Sequence, residues 1–236
     1  MPFRRLLRGE VSGARLERIA AEVASRHGES VETVESLDAD NWLSTPCVVN
    51  DRWFVKIITG QNSLVHALLT TGRNLGALSS RSGGFFEYFG TPLGMAEHEL
   101  VATRRMRELG VNAPEPLEAF EHEGYGVLVI EYLPAFEPLD DLDREAAERI
   151  SPKLFGALAT MHDAGLVHGD LRAENVLVVD DEPYFIDATK VREGAIEDAR
   201  AYDLACALAA LEPLVGARVA VRTAAESHGP EALLDA

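Results

Sequence analysis

The apolar positions of the chain predict a first half built mainly of short strands. Over residues 13–27 these positions recur at helical spacing, which predicts an amphipathic helix. Apolar runs on both sides of Asn50 and Asp51 predict a hairpin over residues 48–58, because this pair of residues is typical of tight turns. A second helix and two further strands are predicted over residues 95–109, 117–120 and 126–132.

The pattern becomes mainly helical after Pro134 and Pro138. Residues 143–164 predict a long helix that ends at Gly165. A hairpin and a last long helix are predicted over residues 175–179, 183–186 and 197–213. The change near residues 133–138 predicts an α+β fold in three parts: a helical extension, a β-rich part and a helical part, over residues 1–40, 41–133 and 134–236.

The charge of the chain is unusually negative. Its 236 residues include 39 acidic and 22 basic side chains, which gives a net charge of -17. Such a charge repels phosphate backbones, so it disfavours non-specific nucleic-acid binding at low salt. Two origins are open: adaptation of a halophilic organism, where salt screens crowded carboxylates, or simple compositional bias toward acidic residues and arginine.

The sequence predicts a cytoplasmic location and no metal-binding role for the two cysteines. Nothing approaches 18 consecutive apolar residues, and the first ten residues lack the apolar run of a signal peptide, so we expect a cytoplasmic protein that does not span a membrane. The two cysteines, Cys47 and Cys206, lack a metal-binding spacing and are expected to act as small buried hydrophobic residues.

The strongest candidate chemistry lies between residues 168 and 187. Asp170 follows His168 and Gly169, Asn175 comes five residues later, and Asp187 follows the predicted hairpin. Phosphoryl transfer from ATP needs a carboxylate near the attacking hydroxyl and oxygen ligands for Mg²⁺. Asp170 is therefore the candidate base, and Asn175 and Asp187 are the candidate metal ligands.

The segment HGDLRAEN, with IDATK after it, resembles the catalytic loop and metal site of protein kinases. It is closer to the RIO, Bud32 and aminoglycoside-phosphotransferase branch, where glycine follows the histidine. The resemblance covers roughly residues 43–212. It implies a bilobal protein-kinase-like fold with a β-rich N-lobe and a reduced, mainly helical C-lobe, with ATP and Mg²⁺ as cofactors.

Two further residues of the second half gain expected roles from this resemblance. Arg172 stands where serine/threonine kinases carry a lysine and is a candidate to hold the γ-phosphate. A surface ion pair with Glu174 is the alternative. Asp203 resembles the buried aspartate that pins the backbone of the catalytic loop in kinases.

Lys56 lies in an apolar strand, where a charged group needs a partner. The resemblance implies that it contacts the α- and β-phosphates and pairs with a helix glutamate. The helix over residues 95–109 offers Glu97 and Glu99, of which we favour Glu99. The resemblance also implies that the backbone of Glu131 and Leu133 binds the adenine edge.

The glycine-rich loop of ordinary kinases has no counterpart, since no glycine occurs between Gly28 and Gly60. Ser44 and Thr45 are the candidate phosphate contacts instead, as in RIO proteins. The insertion over residues 59–94 carries three serines that are candidates for phosphorylation by the same resemblance, although an inert insertion is equally compatible: Ser79, Ser80 and Ser82. The segment from Asp187 to Asp203 is short and carries no A-P-E motif, which fits RIO and Bud32.

Three functions are compatible with these residues. The first is a RIO-like atypical serine/threonine kinase, acting in part or mainly as an ATPase. The second is a small-molecule phosphotransferase of the aminoglycoside or choline kinase type. The third is a non-catalytic nucleotide-binding assembly factor. The acceptor is thus an unknown protein or small molecule, and the family resemblance adds a ribosome-assembly particle as a partner.

Overall fold

The computed structural model describes residues 11–37, 44–60, 91–188 and 196–235, and elements are numbered in chain order within these ranges. The described residues belong to two compact units. Of these described residues, the first unit contains those up to Val101 together with Glu115–Pro134, and the second contains Ala102–Pro114 and those from Ala135 onward. The candidate serines Ser79, Ser80 and Ser82 lie outside the described residues.

The first unit is built on a five-stranded antiparallel sheet with strand order β1-β2-β3-β5-β4. The hairpins predicted from the sequence are present, and Asn50 and Asp51 both adopt positive φ in the tight turn between β2 and β3. Strand β1 was not predicted, because its three residues are mostly exposed and too few to show alternation. The strands are β1 Val34–Ser36, β2 Thr45–Val49, β3 Trp53–Ile58, β4 Pro116–His122 and β5 Tyr125–Glu131.

Each face of this sheet packs against one helix. Alternate residues of β3 and β5, among them Val55 and Val129, share a buried cluster with Ile19 and Val23 of helix α1, Gly13–Arg26. On the other face, the buried residues Ile58, Leu128 and Ile130 share a cluster with Ala96 of helix α2, Pro92–Glu108. The period of two in a strand thus separates the residues that meet α1 from those that meet α2.

The second unit is mainly helical and has a small three-stranded sheet, β6-β7-β8. Its core is one cluster of buried apolar side chains, to which the last residues of α2 also contribute. The elements are β6 Glu137–Pro138, α3 Arg144–Asp163, β7 Val176–Val179, β8 Glu182–Phe185, α4 Ile196–Val215, α5 Ala217–His228 and α6 Ala232–Asp235, with 3-10 turns at Leu139–Asp141 and Ala173–Asn175.

The α+β fold class is confirmed: an antiparallel sheet forms the first unit, and helices dominate the second. Helix α5 was not predicted. It follows Gly216, and its buried residues are Ala220, Thr223 and Ala224, which are too small or too polar to give a clear helical pattern. By their contacts, residues 102–114 group with the second unit, although the sequence placed them in the β-rich part.

Two general expectations can be compared with the described ranges. No helix within them is long and apolar enough to cross a membrane. Cys47 is buried in the cluster beneath α1, and burial raises the pKa of its thiol to about 12. This thiol therefore behaves as a small apolar side chain at neutral pH.

Candidate active site

The loop that carries Asp170 is held by a buried carboxylate of helix α4. Asp203 is fully buried, and its two oxygens accept hydrogen bonds from the backbone N–H groups of His168, at 2.6 Å, and Gly169, at 2.7 Å. Hydrogen bonds to an ionised acceptor are about twice as strong as neutral ones. The backbone immediately before Asp170 is therefore fixed to α4, as expected for Asp203.

A histidine that the sequence analysis did not single out completes the surroundings of this carboxylate. His162, in the last turn of α3, lies with Nε2 3.2 Å from Oδ2 of Asp203. The side chain of Arg200 in turn donates a hydrogen bond to the carbonyl oxygen of His162. The available signal was position: His162 continues the buried face that includes Leu158 and Met161.

Hydrogen bonds within the loop bring the candidate catalytic and metal-binding residues together. The His168 ring donates from Nε2 to the carbonyl oxygen of Ile186 over 2.8 Å. The Asn175 side chain donates from Nδ2 to the carbonyl oxygen of Asp170 over 2.7 Å, and the Ile186 N–H donates to the Asn175 carbonyl over 3.1 Å. Asp187 follows Ile186 directly and adopts a φ of 63°, so the chain turns sharply there.

Arg172 contacts two carboxylates of the same loop. Its Nη2 lies 3.3 Å from an Asp170 oxygen, and its Nη1 forms an ion pair with Glu174. The Asp170 side chain is 19% exposed, whereas Arg172 and Glu174 are both mostly exposed. The surface pair with Glu174 is thus present, and contact with a γ-phosphate stays a prediction.

Asn175 and Asp187 form a donor set suited to a hard cation. Both supply oxygen, which Mg²⁺ prefers, and Asn175 uses its amide nitrogen for the Asp170 carbonyl, so its side-chain oxygen keeps its acceptor capacity. Within the described ranges, no group of three or more His, Cys, Asp or Glu side chains is arranged to hold a metal ion. An ion at this pair would therefore take its further ligands from nucleotide phosphates and water.

In the first unit, Lys56 pairs with Glu99. Its Nζ lies 2.8 Å and 3.0 Å from the two carboxylate oxygens of Glu99, and the two side chains are 7% and 14% exposed. Glu97, the alternative partner, is exposed. The pairing chosen from the sequence is the one the structure shows.

Close packing between β5 and α2 sets the position of Glu99. A Cβ on Gly126 would lie 2.2 Å from the carbonyl oxygen of Pro92, so only glycine allows this approach. The side-chain oxygen of Thr91 accepts a hydrogen bond from the Gly94 N–H and caps the helix. These contacts place the first turns of α2 against the strand that neighbours Lys56.

We predict energetic coupling between Lys56 and Glu99. Removing either member breaks a nearly buried ion pair, so the losses of stability in Lys56→Met and Glu99→Gln, added together, should exceed the loss in the double variant. A double-mutant cycle in urea should give a coupling energy of about 0.5–3 kcal/mol. Glu97→Gln is the matched control, and coupling of Lys56 to Glu97 in place of Glu99 would contradict the assignment.

The other predicted nucleotide contacts all lie in the first unit. Ser44 is 6% exposed, and its hydroxyl has no hydrogen-bond partner within the described residues. Thr45 begins β2 opposite Ile57. Glu131 ends β5, where its backbone N–H donates to the Glu115 carbonyl.

Leu133, the last predicted nucleotide contact, is 8% exposed and lies two residues after β5. The preceding residue, Tyr132, donates its backbone N–H to the carbonyl oxygen of Arg52 over 2.9 Å. The segment that would bind the adenine edge is therefore tied to the turn between β2 and β3.

Comparison with known proteins agrees with the motif. Residues 93–202 match the family model described as RIO domain. The KEOPS complex subunit Bud32 of Pyrococcus abyssi is 32% identical over 87 residues, a match that spans 36% of this chain and 39% of the relative. A chain from the solved complex of Neurospora crassa PAN2 with PAN3 (pseudokinase and C-term) matches at a TM-score of 0.47 and 12% identity, over 86% of this chain and 54% of that one.

The RIO match includes most of the candidate residues of the second unit and three of the first, namely Glu99, Glu131 and Leu133. Glu99, Asp170, Asn175 and Asp187 lie inside the matched range, whereas Lys56 lies before it. The chain spans less than half of the Bud32 relative. The chain is thus RIO-like over residues 93–202.

Proposed function

We propose that this chain is an ATP- and Mg²⁺-dependent phosphotransferase, a RIO-like atypical serine/threonine kinase that also hydrolyses ATP. The observation that carries the proposal is the loop held by Asp203, because it presents Asp170 and Asn175 on one hydrogen-bonded backbone. A loop of this kind suits phosphoryl transfer, in which positioning and electrostatic stabilisation dominate catalysis.

Asp170 is proposed as the catalytic base. Its carboxylate accepts the proton of the attacking hydroxyl, whose oxygen bonds to the γ-phosphorus while the bond to the β–γ bridging oxygen breaks and ADP leaves. The same steps with water as the acceptor give ATP hydrolysis. Arg172 lies beside Asp170 and is proposed to stabilise the charge of the transferred group.

The first unit supplies the proposed nucleotide contacts. Lys56, oriented by Glu99, would bind the α- and β-phosphates. The Ser44 hydroxyl has no hydrogen-bond partner among the described residues, which supports a phosphate contact, because a buried hydroxyl without a partner is costly and phosphate is an acceptor for it. Thr45 is proposed as a second hydroxyl donor, and the backbone of Glu131 and Leu133 as the adenine contact.

Mg²⁺, held by Asn175 and Asp187, would supply charge stabilisation for the phosphates. We predict that Asp187→Asn weakens Mg²⁺-dependent ATP binding, since it removes the charged oxygen ligand for the metal. Titration calorimetry with ATP, in Mg²⁺ and in EDTA, measures this difference. Exposed Asp180→Asn is the control. Equal affinity in Mg²⁺ and EDTA, unchanged by Asp187→Asn, would show that the metal role is wrong.

The acceptor decides between the three candidate functions. Purified protein is incubated with γ-labelled ATP and Mg²⁺ in low and high salt, and the label is followed. We expect label on protein serine or threonine, together with free phosphate. Label on an added small molecule alone would favour the aminoglycoside type. ATP binding without any transfer would favour the non-catalytic assembly factor.

The same resemblance supports proposals about the partners and the cellular location of this chain. The Bud32 relative is a subunit of the KEOPS complex, and RIO resemblance adds a ribosome-assembly particle, so we propose that this chain also acts on or within a protein assembly. A cytoplasmic location is proposed with it. The high-salt origin of the -17 charge stays a prediction.

A further inference from the structure

Helix α5 places a second histidine against His162. The rings of His228 and His162 are 5.6 Å apart between centroids and meet edge to face at 69°, and Phe155 lies 6.2 Å from His228 on another side. Both nitrogens of His228 are buried, and neither completes a hydrogen bond of ordinary geometry within the described ranges. His228 thus contacts its neighbours by packing, a contact that suits a neutral ring.

A short series of contacts connects His228 to the catalytic loop. His228 packs on His162, His162 lies 3.2 Å from Asp203, and Asp203 accepts the backbone N–H groups of His168 and Gly169. Gly169 directly precedes Asp170. The last turn of α5 is therefore connected to the proposed base through two side chains, all within the second unit.

We propose that His228 is a positioning residue for the catalytic loop: as a neutral ring it keeps His162 against Asp203, and its protonation releases this contact. A charged His228 needs hydration, which its packed site does not provide. The ring then moves away from His162. Without this packing, His162 no longer stays against Asp203, the carboxylate that holds the loop.

The charges around His228 favour the neutral form. Burial, as the largest effect, and the neighbouring His162 lower the pKa of His228 from its ordinary value of 6.5, whereas the Ala224 carbonyl and Asp163 act in the opposite direction. From α4, Arg200 and Asp203 both contact His162. Further acidic groups at this end of α5 and before α6 are exposed to solvent, namely Glu226 and Glu231.

The sign of the pH effect follows from the lowered pKa. The unfolded chain takes up the proton at a higher pH than the folded chain does. The folded state therefore loses stability as the pH falls from 6.5 toward the pKa of the packed ring. The loop contact should be intact at pH 7 and above, and weakened in acid.

The test follows the backbone amides of His168 and Gly169 by ¹H–¹⁵N NMR in the full chain between pH 8 and pH 5.5. In the wild type we expect both amides to shift with the midpoint of the His228 ring. His228→Phe retains an aromatic ring without the titrating group, and it should lose this step. His122→Phe, in β4 of the first unit, removes an unrelated histidine and should keep it.

Two results would overturn the proposal. One is an unchanged titration of the two amides in His228→Phe, and the other is an absence of any amide shift in the wild type while the His228 ring titrates. Because phenylalanine changes the polarity of the site, His228→Gln is measured in parallel, with the same expected loss of the step. These amide readouts do not depend on enzymatic activity.

The consequence for turnover rests on the proposed phosphotransferase function. In the wild type, kcat should fall as His228 becomes protonated while the KM for ATP stays constant, and in His228→Phe this fall should disappear. An equal fall of kcat at acidic pH in the wild type and in His228→Phe would contradict the positioning role. A protein that transfers no phosphate at any pH would refute the proposed function, and the amide titration would still decide the role of His228.

Discussion

Asp170→Ala should lower the rate of phosphoryl transfer about 10²-fold or more while leaving ATP affinity nearly unchanged. General-base and positioning groups are typically worth about 10²–10⁴ in rate, and the phosphate and adenine contacts proposed here lie on other residues. Single-turnover transfer from γ-labelled ATP measures the rate, and calorimetry measures the affinity. A kcat effect without a change in binding would identify Asp170 as a group that acts on the reaction itself.

The control for this prediction is Asp140→Ala, which removes an exposed carboxylate of the same unit. It should transfer phosphate at the wild-type rate. Asp170→Asn adds a second test, because it preserves shape and hydrogen-bonding capacity but cannot accept the proton as a carboxylate does. Wild-type turnover by either Asp170 variant would refute the assignment of the base.

Asp203→Ala should disrupt both stability and catalysis. The substitution leaves the N–H groups of His168 and Gly169 buried without their acceptor, and each unsatisfied group costs about 1–3 kcal/mol. Urea denaturation should show the lost free energy of unfolding. Amide hydrogen exchange should show faster exchange at these two residues than in the wild type.

A matched control lies on the same helix. Asp198 is exposed on α4, so Asp198→Ala removes an equal charge without touching the loop, and it should change stability by less than about 0.5 kcal/mol. Asp203→Asn preserves the volume but turns one acceptor into a donor that faces a backbone N–H. Full stability and protected amides in Asp203→Asn would show that the loop is held by contacts other than this carboxylate.

Most of the candidate catalytic and metal-binding residues could be predicted from the sequence, because they lie close together along the chain. Asp170 and Asn175 lie five residues apart on one loop, and the predicted hairpin returns the chain to Asp187, so spacing alone indicated that these groups come together. The tight turns could be predicted for the same reason. Asn50 and Asp51 tolerate positive φ at low cost, and this preference belongs to the residues themselves.

Non-local contacts were less accessible to sequence reasoning. Helical spacing put both Glu97 and Glu99 on one predicted helix, but only the approach of α2 to β5 at Gly126 determines which of them reaches Lys56. Likewise, His162 and Asp203 are separated by 41 positions, and His162 looks like an ordinary helix residue until α3 and α4 are packed.

By itself, the sequence determined the α+β class, the order of most helices and strands, and the loop that carries Asp170 and Asn175, because propensity, turn chemistry and motif spacing act over a few residues. Only the tertiary structure decided between Glu97 and Glu99 as the partner of Lys56, brought His162 to Asp203 and placed His228 beside His162. These depend on which helix faces meet and which charges lose water when they do. The pattern of neighbouring residues does not show which charged side chains lose water, because this desolvation occurs only when the elements pack together.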